Sequence, residues 1–321
     1  MNKTAVLLLK STRRVCTILC KTADRKCSLT FDLQGQQASD SIRKMLTGNE
    51  PCMICRFGSY ELRATLNYLD VTRKGSSFSK TLKYIKGEIG PYWWDDEIAF
   101  FMRNNAGFFP ANAEFLSRFA NIVLKDIQNI DILGSWLIDE ARLENFLPKI
   151  KRVPLLDLEP FYHSNPWSEG LEGKRVLVVH PFEKTITKQY EKRRLLFDNP
   201  RTLPNFELMT LKAVQSNAGS KSGFSSWFDA LEHMSKKVSV LDFDVAIIGA
   251  GAYGLHLASY VKGMGKKAVH MGGATQLLFG IKGKRWDDAP FYRELYNDNW
   301  TRPLPEETPA NYEIVEGGCY W

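Results

Sequence analysis

The chain has 321 residues and a mass of 36.7 kDa, with 44% apolar and 25% charged side chains. That mix fills a sizeable core and excludes extended disorder, a coiled coil, a collagen-like rod and a disulfide scaffold. The formal net charge of +7 is uneven: residues 1–86 carry 16 basic and 6 acidic side chains, against 27 and 30 in the remainder. Such a basic third suits an anionic partner, either nucleotide phosphates or an anionic membrane surface. Nucleic acid is not expected, because the aromatic residues are not interleaved with the basic ones.

Taken in chain order, the apolar runs Ala5–Leu9, Val15–Leu19 and Cys27–Leu33, separated by basic turns, predict two or three short strands. Ser39 or Asp40 can cap a helix running to Leu46, with Gly48 at its end. Residues 1–50 thus form a basic segment expected to pack on the core. Pro51–Arg56 reads as a buried strand, Phe57-Gly58-Ser59 as a tight turn and Glu61–Leu69 as a helix. Cys52 and Cys55 have C-x-x-C spacing, but no second pair or nearby histidine pair completes a zinc set. Buried reduced thiols on opposite faces of a strand are the expectation.

Residues 79–146 are mostly helical, a helical insertion broken at Gly90-Pro91, Gly107 and Pro110, and Asn129–Leu133 and Val153–Leu158 look like strands. Strand and helix then alternate: Lys174–His180, Glu183–Phe197, Phe206–Leu211, Ser225–Met234, Asp244–Gly249, Tyr253–Gly263 and Lys267–Met271. Short connections between such elements predict an α/β fold, a Rossmann-like and mostly parallel sheet with helices on both faces. One domain is expected over residues 51–300, with 172–287 as a nucleotide-binding half and 301–321 as a carboxyl-terminal tail. Ala5–Leu9 is too short for a signal peptide, and the uncharged stretch Val245–Val261 falls short of the ~20 residues of a spanning helix. The expectation is a cytoplasmic protein, peripheral at the inner face of a membrane through residues 1–86.

Ligands in open α/β sheets bind where strand ends turn into helices, and three such loops carry chemistry. In Arg56-Phe57-Gly58-Ser59-Tyr60-Glu61, Arg56 can fork onto phosphate oxygens. Gly58 admits backbone amides to an oxyanion, Ser59 opens the helix, and Glu61 can take a proton or bind a metal. In His180-Pro181-Phe182-Glu183-Lys184-Thr185, His180 and Lys184 suit pyrophosphate or sugar hydroxyls. Gly249-Ala250-Gly251-Ala252-Tyr253-Gly254 is a G-x-G-x-x-G between strand and helix. The following strand ends at His270 rather than at an acid, so NAD is not expected. Lys282-Gly283-Lys284-Arg285 can close over a phosphate, and Trp93-Trp94-Asp95-Asp96-Glu97 sets aromatics beside acids.

Arg56-Phe57-Gly58-Ser59-Tyr60-Glu61 resembles the R-F-G-D-G-E signature of GT-D-type glycosyltransferases, and Asp244–Gly273 looks like the closing nucleotide-binding half of that fold. Phrases such as Glu159-Pro160-Phe161-Tyr162 and Val178-Val179-His180-Pro181-Phe182 are similar to proteins of bacterial surface-polysaccharide gene clusters. The resemblance implies sugar transfer from a nucleotide-diphosphate donor to a polysaccharide or lipid-linked glycan acceptor. It also implies Mn²⁺ or Mg²⁺ held by a D-x-E motif. Here Ser59 stands at the first acid and only Glu61 remains, as metal ligand and as general base, with Glu159 and Asp95 as further candidate bases. The alternatives are a non-catalytic nucleotide- or polyanion-binding protein of polysaccharide assembly and an NAD-type oxidoreductase.

Overall fold

Aliphatic residues occupy almost every position of Val176–Val179, Val245–Ile248 and Ala268–Val269, as strands covered on both faces require. The computed structural model, which describes residues 2–20, 28–217 and 222–321, forms them into one parallel sheet. Its strands are β1 (Cys52–Cys55), β2 (Ile132–Ser135), β3 (Lys151–Pro154), β4 (Arg175–His180), β5 (Glu207–Lys212), β6 (Val245–Ile248) and β7 (Lys267–His270). They lie in the order β3-β2-β1-β7-β6-β4-β5, every neighbouring pair parallel. The α/β reading of the sequence is therefore correct, and helices cover both faces.

Alternation along the strands builds the two halves of the core. Met53, Cys55, Leu177, Val179, Ala246 and Ile248 face one layer, which contains α3 (Ser59–Thr72), α5 (Asp96–Asn104), α6 (Ala113–Asp126), α8 (Trp227–Ser239) and α9 (Gly254–Gly263). Cys52, Ile54, Val176, Val178, Val245 and Ile247 face the other, against α2 (Gln36–Thr47), α7 (Glu183–Glu191) and Trp167. Cys52 and Cys55 are accordingly free, buried and on opposite faces, and burial pushes the Cys52 thiol up to about 11. Within the helical insertion, Asp95 and Asn112 cap α5 and α6, and Ser76 caps α4 (Ser77–Ile85). Three short helices follow the last strand: α10 (Thr275–Leu278), α11 (Lys284–Asp287) and α12 (Pro290–Leu295).

The amino-terminal strands are not found. Lys3–Cys20 is one helix, α1, packed on α4. No Gly, Pro, Asn or Asp interrupts it, so nothing turns the chain between the two apolar runs. The expected strand Cys27–Leu33 begins outside the described residues, and Ser28–Leu33 has no regular structure. The strand expected over Val153–Leu158 ends at Pro154 and passes into a 3₁₀ turn, Leu155–Leu158; proline has no N–H to continue a ladder.

Trp167, fully buried against the second face, donates its indole N–H to the Leu158 carbonyl at 3.0 Å. Trp167→Ala should destabilise the fold by about 3–5 kcal/mol, read as a lowered urea midpoint with an unchanged slope.

Candidate functional site

The connections leaving the adjacent strands β6 and β4 run to opposite sides, to β7 and β5. This is the arrangement that opens a crevice at strand carboxyl ends. A cavity of about 430 Å³ lies along that edge, within the range of small-molecule sites. It is lined by the ends of β1 (Arg56, Gly58, Ser59, Tyr60, Glu61), β4 (His180, Phe182), β6 (Gly249, Gly251, Tyr253) and β7 (His270, Gly272, Gln276). The three loops singled out in the sequence thus meet in one cleft.

Arg56 leaves β1 and lays its guanidinium 4.8 Å from the ring centre of Trp136. It makes no hydrogen bond or ion pair among the described residues, and its buried Nε has no partner. Burial lowers its pKa, against the pull of the Glu61 charge. Glu61, in the first turn of α3, folds back over Gly58: a Cβ at Gly58 would sit 1.9 Å from Glu61 Oε2. Gly58 has an ordinary φ of −76°, so glycine is needed there for the space that the carboxylate fills. Burial raises the Glu61 pKa, opposed by its own backbone N–H and by Arg56.

His180 and His270 are both buried and pushed down to about 3, His180 by burial alone and His270 by burial and the nearby Arg56 charge. They are neutral at physiological pH, in opposite tautomers. His180 Nδ1 accepts the Phe182 amide at 3.0 Å, which leaves its proton on Nε2. His270 Nδ1 donates to the Ile248 carbonyl at 3.1 Å, which leaves a lone pair on Nε2. The glycines make this packing fit. A Cβ at Gly249 would lie 2.5 Å from the His180 ring, and one at Gly254 would lie 2.1 Å from the His270 ring. Gly251 has a φ of +52°, which favours glycine. Gly254 itself does not line the cleft; Tyr253 does, its ring stacked 4.9 Å from Trp227.

Other expected site residues stand apart. Lys184 is exposed and pairs with Glu306 at 3.8 Å, while the Lys184 and Thr185 amides at the start of α7 are already taken by the buried carboxylate of Glu307. An anion at that helix start comes from the chain itself. Asp95 caps α5 and pairs with Lys10 at 3.0 Å, and Trp93 beside it is core. Glu159 is buried behind the sheet edge, accepting the Tyr292 hydroxyl at 3.0 Å.

Sequence reasoning missed two contributors. Trp136, after β2, is held by its indole N–H on the Phe57 carbonyl at 3.0 Å. Glu140 accepts the amides of Trp136 and Leu137 and the Ser135 hydroxyl, fixing that turn. The second is the segment Val315–Trp321, which walls the cleft with Glu316, Tyr320 and Trp321. Arg285 ties it down, pairing with Glu316 and donating its amide to the Cys319 carbonyl at 2.9 Å.

The donor set does not fit a divalent cation. Among the described residues no three His, Cys, Asp or Glu side chains converge. Glu61 lies in the field of the Arg56 charge, and Glu316, the other carboxylate of the cleft, is paired with Arg285; hard cations take several oxygens. No protein-family model, curated protein or solved structure matches the chain.

Burial pushes Glu159 up to about 8. The stability this group contributes is complete below its ordinary value near 4.5 and is lost as pH rises through about 8. Glu159→Gln keeps an acceptor for Tyr292 and removes that loss. Denaturation curves should coincide near pH 4.5, and by pH 8 the variant should be the more stable.

Proposed function

We propose that the cleft binds a nucleoside-diphosphate sugar and transfers the sugar to a hydroxyl of a glycan or lipid-linked acceptor. The observation that carries this reading is Arg56, a desolvated cation in a ligand-sized cleft with no anion hydrogen-bonded to it. Buried polar groups are normally satisfied, and a diphosphate satisfies this one. The Gly249 and Tyr253 amides are taken by the Val179 and Ala250 carbonyls, so the neutral donors available to the same charge are the Ala250 and Gly251 amides and the His180 Nε2–H. Tyr60, Phe182, Tyr253 and Tyr320 offer ring faces to a base or a sugar.

In the reaction the bond from the anomeric carbon to the diphosphate oxygen breaks, and its electron pair leaves on the diphosphate, where Arg56 stabilises it. The acceptor oxygen bonds to the anomeric carbon and its proton passes to Glu61. The raised pKa of Glu61 suits that task, since a base works best near the operating pH. No step requires a metal. A nicotinamide dinucleotide fits less well: the strand after the glycine loop ends in His270, whose ring packs on Gly254 where a ribose-binding acid would be needed. A non-catalytic binder of the same ligand is the competing reading, favoured by Ser59 at the first acid position of the motif.

A nucleoside diphosphate at ~100 times its Kd should add ~2.7 kcal/mol of stability, read as a raised Tm. Arg56→Gln should abolish that protection. Glu61→Gln should keep it, while the release of nucleoside diphosphate from a nucleotide sugar falls ~10²–10⁴-fold. Protection with no turnover in the unmodified protein would favour the non-catalytic binder. If no nucleoside diphosphate or nucleotide sugar raises the Tm, with or without Mn²⁺, the reading is wrong.

A further inference from the structure

Helix α1 is turned the opposite way from an ordinary surface helix. Val6 and Leu9 pack on Tyr84, Ile89 and Trp93, and with them the cations Lys10 and Arg13 point inward. Lys10 pairs with Asp95 at 3.0 Å, and Arg13 donates to the Ile89 carbonyl at 3.1 Å and lies over Tyr84. The outward side carries five large apolar residues, with the small hydroxyl residues Thr4 and Ser11 among them. Leu7, Leu8, Val15, Ile18 and Leu19 are 54% to 77% exposed, and at 3.6 residues per turn they fall within an arc of about 120°. The neighbouring helix α4 leaves Phe78 73% and Leu82 42% exposed. Isolated surface leucines need no explanation, but five large exposed apolar residues on one helix face mark an interaction surface.

We propose that this outward stripe of α1 seats the protein on an anionic lipid bilayer, with the helix lying in the plane of the interface. Charge selects this occupant. Lys3 and Arg14 border the stripe, Lys83 and Lys86 are exposed on and just after α4, and residues 1–86 carry ten more basic than acidic side chains. A second copy docked face to face would set these cations against their own kind, whereas anionic headgroups neutralise them. No helix of the described residues is long and apolar enough to cross a membrane, so α1 lies on the surface rather than spanning it. The proposal is independent of the sugar-transfer reading. Within residues 1–86 it places the insertion on the leucine face, since Lys10 and Arg13 are engaged with the body of the protein.

The test is co-sedimentation of the full chain with vesicles of equal parts phosphatidylcholine and phosphatidylglycerol, beside vesicles of phosphatidylcholine alone. The protein should bind the anionic vesicles more tightly, and the double variant Leu8→Glu, Leu19→Glu should weaken that binding about tenfold or more. Thermal unfolding without vesicles should not change, because both positions are exposed. Val240→Glu, at an 81% exposed position after α8, should leave binding as it was. Three results would overturn the proposal: no binding of the unmodified protein to anionic vesicles, equal loss in Val240→Glu, or undiminished binding of the double variant. A dimer that the double variant dissociates, with no vesicle binding, would instead assign the stripe to a second copy.

Discussion

Parallel pairing puts the carboxyl ends of all seven strands on one edge of the sheet, and this constraint decides what the cleft can be. Each of those ends hands the chain to a turn, and the turns compete for the same space. The competition is settled by leaving out side chains. Gly249 yields to His180, Gly254 to His270 and Gly58 to the Glu61 carboxylate. The glycine pattern that resembles a dinucleotide fingerprint is here largely a packing solution, in which two histidine rings fill what the glycines vacate.

The same crowding sets the electrostatics. Burial works against charge on both Arg56 and Glu61 and keeps His180 and His270 neutral. Arg285 and Glu316 pair with each other. Among the described residues that line the cleft, the cation left without an ion pair is Arg56, stacked on a tryptophan face with its buried Nε unbonded. Cation–π contact stabilises a guanidinium without using its donors, so the site holds its charge in place and still offers it to an anion.

The strands were legible because both faces of the sheet are covered, which leaves uninterrupted aliphatic runs such as Val176–Val179. Their carboxyl ends then located the three loops that meet in the cleft. Helix α1 was not legible: its apolar runs read as short strands, although Leu7, Leu8, Val15, Ile18 and Leu19 stand at helical spacing, and such spacing does not say which way a stripe faces. Its orientation follows from Asp95 and Ile89, some 80 residues away, holding Lys10 and Arg13. Trp136 and Glu140 had no motif to mark them, since their effect depends on a carbonyl at Phe57. The wall formed by Val315–Trp321 and the capture of the α7 amides by Glu307 were hidden for the same reason. Both join segments far apart in the chain through a few polar contacts that leave no periodic trace.

The position of β1 beside β7 has a consequence for how the molecule assembles. Cys52, Met53 and Ile54 pair with Lys267, Ala268 and Val269, so the middle of the sheet joins segments more than 200 residues apart. During synthesis, β1 to β3 can associate as soon as they are made, but the other edge of β1 stays open until β7 emerges. An unpaired, fully apolar strand edge is a template for association between chains, and such long-range parallel closure is intrinsically slow. The nascent protein therefore carries an aggregation hazard at its own future centre, and β7 is the strand whose arrival ends it.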